Sequence, residues 1–156
     1  LKKFKRINLI VEACNRLARP LIIVGTGPAR KHLQRQAGKT VRFIAKIDDT
    51  GLRELYATAR GYLHAAREDF GMTMAEAQAA GTPVIAFGEG GAAEIVVHNE
   101  TGILFREQTT ESLIEAIKMS EAKEWDRQII MRNAQRFSEE HFKNHFLRIV
   151  HEGVIT

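Results

Sequence analysis

Short, mostly apolar runs punctuate the first two-thirds of this chain, and they constrain its fold more than any other feature. Leu21-Ile-Ile-Val24, Val41-Arg-Phe-Ile-Ala45, Gly61-Tyr-Leu-His-Ala65, Pro83-Val-Ile-Ala-Phe87 and Thr101-Gly-Ile-Leu-Phe105 are each four or five residues long. A run without alternation reads as a strand buried on both faces, as in a parallel sheet. Between these runs lie helical patterns. Ile7, Ile10, Val11, Cys14 and Leu17 predict a helix over 7–18, ended by Pro20. A polar helix over 29–37 stops at Gly38, and Asp48-Asp-Thr50 offers N-caps for a helix carrying Leu52, Leu55, Tyr56 and Ala59. Gly71 to Ala80 is an Ala/Met-rich helix closed by Gly81, and a short helix covers 92–98. From Glu111 to about Gly153 the pattern is helical with short breaks. Alternating strands and helices predict an α/β fold with a doubly wound, Rossmann-like parallel sheet. We expect one domain over 1–156 with a helical tail at about 111–156. An opening helix with no strand before it leads us to expect a first strand upstream of Leu1, in a longer polypeptide.

Charge is unevenly spread. Residues 1–60 hold 14 basic and 4 acidic side chains, residues 61–100 hold 1 and 6, and residues 101–156 hold 8 and 9. A cationic first third points to an anionic partner: nucleotide phosphate, nucleic acid or a membrane surface. The single cysteine, Cys14, excludes an intrachain disulfide and a CxxC motif. No apolar run approaches the ~20 residues that span a bilayer. The basic start, Leu1-Lys-Lys-Phe-Lys-Arg, is followed by an apolar stretch broken by Glu12 and Arg16, so it is not read as a signal peptide.

In open α/β sheets, ligands bind at the carboxyl ends of the strands. Those ends carry Gly25-Thr-Gly27, the Lys46–Asp49 turn, Ala66–Gly71 and Gly88–Gly91. Gly25-Thr-Gly27-Pro28 is half of a dinucleotide fingerprint, but Arg30 stands where the third glycine belongs and Pro28 lacks an amide donor. A strand-to-helix turn with Pro at the first helical position explains it better than a nicotinamide dinucleotide site.

Glu68-Asp-Phe-Gly-Met-Thr-Met-Ala-Glu76 is the stronger candidate. Glu68 follows a strand, and Glu76 lies about one turn inside the next helix. Between them, the amides of Gly71, Met72 and Thr73 fall at a helix N-terminus, where donors lack intrahelical partners and the dipole favours an anion. Two carboxylates that accept from hydroxyls, flanking donors that hold phosphate, match a sugar nucleotide. The competing structural explanations are a solvated loop acid at Glu68 and a capping box, Thr73-x-x-Glu76.

The flanking sequence decides between them. Residues 68–97 resemble the nucleotide-sugar-binding core of the retaining glycosyltransferases of family 4. The matching pieces are Glu68-x7-Glu76 enclosing Phe70-Gly71, then Gly81-Thr-Pro-Val-Ile85, Gly90-Gly91-Ala-Ala-Glu94 and Thr101-Gly-Ile-Leu-Phe105. Upstream, Val24-Gly-Thr-Gly-Pro28, Val41-Arg-Phe-Ile44 and Lys5-Arg-Ile-Asn-Leu-Ile10 also follow the family's order, so the resemblance covers about residues 5–120. The Glu68–Gly71 and Ala75–Gly81 pieces are most similar to mannosyltransferase-type members.

The resemblance implies the C-terminal, donor-binding half of a two-domain GT-B enzyme. It implies transfer of a hexose, with GDP-mannose the first candidate donor, to a glycan or lipid-linked acceptor. By that likeness Glu68 binds sugar hydroxyls and Glu76 the ribose, while Gly71, Met72 and Thr73 give amides to the sugar and diphosphate. Lys5 pairs with the diphosphate, and the backbone at Lys46 and Ile47 meets the base. No metal or other cofactor is expected, because cations and amides can stabilise the departing diphosphate. The implied partners are the nucleoside diphosphate sugar, the acceptor and the absent N-terminal domain. Nucleic acid is not expected, and the location is cytoplasmic with peripheral membrane contact left open. Three departures from the family stand out: no Arg precedes Lys5, Ala45 replaces a usual Gly, and Ala65 stands near a usual Pro.

The remaining signals are weaker. His141 and His145 share a helical face without an HExxH motif, and His32, His64, His98 and His151 are scattered. His64, in a strand near the proposed pocket, reads as a packed or pocket-wall residue rather than a catalytic one, and Trp125, Phe137, Phe142 and Phe146 as packing residues of the tail. Two alternatives remain: a sugar-nucleotide epimerase of the same fold, and a non-catalytic nucleotide- or polyanion-binding module. A dehydrogenase is the weakest reading, for want of the third glycine.

Overall fold

The computed structural model describes residues 1–152, and side chains through residue 150. Five strands alternate with helices along the chain. The strands are β1 (Leu21–Val24), β2 (Val41–Ile44), β3 (Tyr62–His64), β4 (Val84–Phe87) and β5 (Gly102–Phe105). The helices are α1 (Ile7–Leu17), α2 (Arg30–Gln36), α3 (Asp49–Thr58), α4 (Met72–Ala79), α5 (Gly91–Ile95), α6 (Thr110–Glu121), α7 (Arg127–Ala134) and α8 (Glu139–Glu152). All pairings are parallel, so the expected fold class holds. The last four residues of the expected tail, 153–156, lie outside the described residues.

The strands form two hydrogen-bonded groups, β1–β2 and β3–β4–β5. Helix α1 unites them. Its Ile10, Ala13 and Cys14 join Ile85, Phe87, Ile103, Phe105 and the α6 residues Leu113 and Ile117 in one core. Its Val11 joins Ile23 and Leu33 in another, with Val41 and Phe43 packed alongside. On the opposite face, Met74 and Ala77 of α4 and Ile95 of α5 pack on Val84 and Ala86, with Tyr56 and Tyr62 alongside. Helices thus cover both faces, and β4 is buried along its whole length, which is why its sequence shows no alternation.

Polar residues set the helix starts. Asp48 caps α3 by accepting from the Gly51 amide at 2.8 Å, and Thr109 and Asp126 cap α6 and α7 in the same way. A buried network ties the tail to the sheet: Asn133 Nδ2 donates to Gln78 Oε1 at 2.6 Å and to the Ile95 carbonyl at 2.7 Å, while Gln78 Nε2 donates to Thr101 Oγ1 at 3.0 Å. Trp125 packs against the α6 core as expected. Phe142 and Phe146 do not pack inward. They are 68% and 55% exposed on α8 and stack on each other, because α8 leaves the domain beyond Phe137 and has no core beneath it.

Candidate functional site

The carboxyl ends of the strands converge on the 65–76 segment. After β3, the chain passes Ala65 and Ala66, both fully buried, and turns outward through Glu68 to Phe70. A glycine pair fixes this loop. The Gly91 amide donates to the Glu68 carbonyl at 2.7 Å, and Glu68 forms an isolated parallel bridge with Gly90. A Cβ on Gly90 would lie 2.3 Å from the Glu68 oxygen, and one on Gly91 would lie 2.0 Å from the Phe70 oxygen. Glycine is required at both positions for the two backbones to approach.

Helix α4 starts from Gly71, whose φ of 87° is left-handed. The amides of Gly71, Met72 and Thr73 have no backbone partner among the described residues, and Met74 is the first to bond back, to the Gly71 carbonyl at 2.9 Å. Met72 and Thr73 are exposed, so this end faces solvent. The capping-box alternative fails. Gly71 is the cap, with no side-chain cap bond, and the Thr73 hydroxyl accepts from Tyr62 Oη at 2.9 Å. Glu76 is exposed, and its Oε2 lies 3.5 Å from Tyr56 Oη.

Lys5 reaches this site from the other end of the chain. A short turn of 3-10 helix, Lys3–Lys5, precedes α1, and Arg6 at a left-handed φ of 52° links the two. Lys5 Nζ forms an ion pair with Glu68 Oε1 across 63 residues of sequence. The side chains of Lys5 and Glu68 are 38% and 18% exposed. Beside them lies His64, only 6% exposed. Burial pulls the His64 imidazole below its ordinary pKa, with the Lys5 cation acting the same way and Glu68 opposing it. Tyr62 is pushed up, chiefly by burial.

Lys5 and Glu68 are therefore paired, Glu68 lies three residues before Gly71 at the start of α4, and Glu76 lies further along that helix. Lys46 and Ile47 lie in the β2–α3 turn. Lys46 is exposed, Ile47 folds over Gly51, and neither has a hydrogen-bond link to the 68–76 segment. Sequence reasoning passed over Tyr56 and Tyr62, which buttress Glu76 and Thr73. The signal was available: Tyr62 and His64 share one face of a strand.

The glycine turn after β1 has the structural role expected of it. Arg30 Nη1 donates to the Gly25 carbonyl at 2.5 Å and to the Ile44 carbonyl at 3.3 Å, tying the ends of β1 and β2. Pro28 stands two residues before α2 rather than at its first position, because the helix begins at Arg30. Among the described residues, no group of three or more His, Cys, Asp or Glu converges, and no helix is long and apolar enough to cross a membrane.

A cation, carboxylates and free helix amides thus stand at the strand ends of a parallel α/β domain, and such groups are chemically able to hold a phosphorylated ligand. Residues 1–137 match the family described as Glycosyl transferases group 1, and the chain belongs to that family. It is 33% identical over 121 residues to the D-inositol 3-phosphate glycosyltransferase of Jonesia denitrificans, covering 74% of this chain and 28% of that protein. It is 32% identical over 110 residues to a Mycobacterium tuberculosis GDP-mannose-dependent alpha-(1-6)-phosphatidylinositol monomannoside mannosyltransferase, covering 62% of this chain and 29% of that protein. The chain thus spans under a third of these relatives' length. The crystal structure of the C-terminal domain of a group 1 glycosyl transferase from Francisella tularensis superposes with a TM-score of 0.68 at 24% identity, covering 86% of this chain and 76% of that one. The fold is that of the C-terminal half of a GT-B enzyme.

Proposed function

We propose that this chain supplies the donor site of a retaining hexosyltransferase. The observation that carries the reading is the meeting of Lys5, Glu68 and the unpartnered amides of Gly71, Met72 and Thr73, with Glu76 on the same helix. In this reading Lys5 and the amides hold the diphosphate and stabilise the charge that develops as it leaves the sugar. Glu68 accepts from sugar hydroxyls, Glu76 from the ribose, and the backbone at Lys46 and Ile47 borders the base. GDP-mannose is the first donor to test, supported by the mannosyltransferase relative. The acceptor is a glycan or a lipid-linked sugar, and it is bound by an N-terminal domain. This reading places the reaction in the cytoplasm and leaves peripheral membrane contact open.

Titration with nucleoside diphosphates tests this. GDP or UDP is expected to shift the amide resonances of residues 71–76, and a spectrum unmoved at millimolar ligand refutes the reading. Glu76→Ala should weaken binding of the free nucleotide. Glu68→Ala should weaken the sugar nucleotide more than the free nucleotide, and wild-type affinities in both variants would show the roles to be wrong. The chain alone should not turn over, because the acceptor half is supplied elsewhere. Robust transfer by these 156 residues would contradict that.

A further inference from the structure

His64 Nε2 is the one buried side-chain polar atom without a hydrogen-bond partner among the described residues. Buried polar atoms are almost always satisfied, so an orphan calls for a partner that the folded chain does not itself provide. Its location says what that partner is. His64 is the last residue of β3, at the carboxyl end of the sheet. Leu63 points into the α1/α6 core, whereas Tyr62 packs on the α4 side and donates to Thr73 in the first turn of α4. Strand alternation puts His64 on the same side as Tyr62, and the two rings stack at 6.3 Å. The ring therefore lies on the α4 side of the sheet, at its carboxyl end. The Glu68 carboxylate and the Lys5 ammonium are both close enough to act on it electrostatically.

Packing does not explain a histidine here. Its neighbours Ala65, Ala66 and Ala86 are small and fully buried, and an apolar ring would fill the space without stranding a polar atom.

We infer that His64 is a further donor-site residue, whose Nε2 forms a hydrogen bond with an oxygen of the sugar–diphosphate segment when the nucleotide sugar binds. The inference rests on the donor site proposed above and adds to it a specific floor contact. Burial keeps the imidazole neutral at neutral pH, so its contribution is a directed hydrogen bond and not a charge. A sugar hydroxyl matches either tautomer, and a phosphate oxygen requires the proton on Nε2.

The test uses the 156-residue chain with GDP, UDP, GDP-mannose and UDP-glucose in calorimetric titrations. His64→Phe should lower affinity roughly fivefold to thirtyfold, while its denaturation midpoint stays at or above that of the wild type, since the stranded atom is gone. His64→Gln, which places an amide near the position of Nε2, should recover most of the affinity. Loss with the free diphosphates as well as the sugar nucleotides assigns the bond to phosphate, and loss with sugar nucleotides alone assigns it to the sugar. Wild-type affinity in His64→Phe for the ligands that the wild type binds overturns the inference and leaves the donor site standing. Failure of the wild type to bind any of the four overturns both. If His64→Phe does not fold, the wild-type imidazole 15N resonances decide: they move on titration if the bond forms, and their constancy refutes it.

Discussion

The contact between the Glu68–Phe70 loop and the glycine turn after β4 makes Gly91→Ala a sharp perturbation. A Cβ at position 91 would stand 2.0 Å from the Phe70 carbonyl oxygen, 2.5 Å from its carbon and 2.9 Å from its Cα. Ordinary contact begins near 3.4 Å, so relief from 2.0 Å needs a displacement of about 1.4 Å. The clashing atoms are backbone, so no rotamer change can supply it. Overpacking of this kind costs about 1–3 kcal/mol, and disturbing the Gly91-to-Glu68 hydrogen bond adds about 1 kcal/mol. We expect Gly91→Ala to lose about 2–4 kcal/mol of unfolding free energy in urea. The displaced loop carries Glu68, so the variant should also bind sugar nucleotide more weakly. Gly88→Ala is the control. Its Cβ would meet the Phe105 oxygen at 3.4 Å and Leu104 Cβ at 3.5 Å, and it should unfold within about 1 kcal/mol of the wild type. Equal midpoints for Gly91→Ala and Gly88→Ala would refute the claim that loop and turn are locked together.

Lys5→Met removes the cation proposed to hold the diphosphate. Nucleoside diphosphate affinity should fall about tenfold to a hundredfold, measured by calorimetry, whereas stability should change by no more than about 1 kcal/mol because the Lys5–Glu68 pair is partly exposed. Unchanged affinity would remove Lys5 from the site. Cys14 gives a pH prediction. Burial, with Glu121 adding to it, pushes its thiol from 9.0 up to about 11. The folded state therefore resists forming the thiolate. The resulting stability is full below pH 9 and is lost as pH rises toward 11. Wild type should lose on the order of 2 kcal/mol more than Cys14→Ala over that interval, and parallel unfolding curves would show that Cys14 is not shielded.

Much of this fold could be read directly because buried parallel strands write continuous apolar runs. Leu21–Val24 was located to the residue, and the run over 83–87 differs from Val84–Phe87 only at Pro83, which has no amide to donate to a ladder. The capping role of Asp48 was equally plain. What sequence spacing does not carry is which residues meet across the fold. The 3-10 turn at Lys3–Lys5 is too short to have a period, so nothing local shows that Lys5 swings onto Glu68. Phe142 and Phe146 have the spacing of a buried stripe, and periodicity cannot say whether anything lies beneath it. The family likeness named Glu68, Gly71 and Glu76 because those residue types recur in a motif. His64 carries no motif: its place in a strand near the pocket could be read from sequence, but its stranded buried atom could not.

The charge asymmetry takes a different meaning in three dimensions. Several of the cations in residues 1–60 are matched within the chain. Arg16 and Arg19 pair with Glu111 and Glu121 at 2.6 Å, fastening α1 to α6, and Arg30 is spent on strand-end carbonyls. Lys5 is matched too, but its partner is Glu68, the residue proposed to receive the sugar. Within the folded chain these two proposed ligand-binding groups therefore occupy each other. A diphosphate arriving at Lys5 competes with Glu68 for the ammonium, and the carboxylate it displaces is then free to accept from hydroxyls. Phosphate capture and sugar recognition are coupled on this reading through a single ion pair. The two groups should behave non-additively in a double-mutant cycle with sugar nucleotide, as expected for contacting residues.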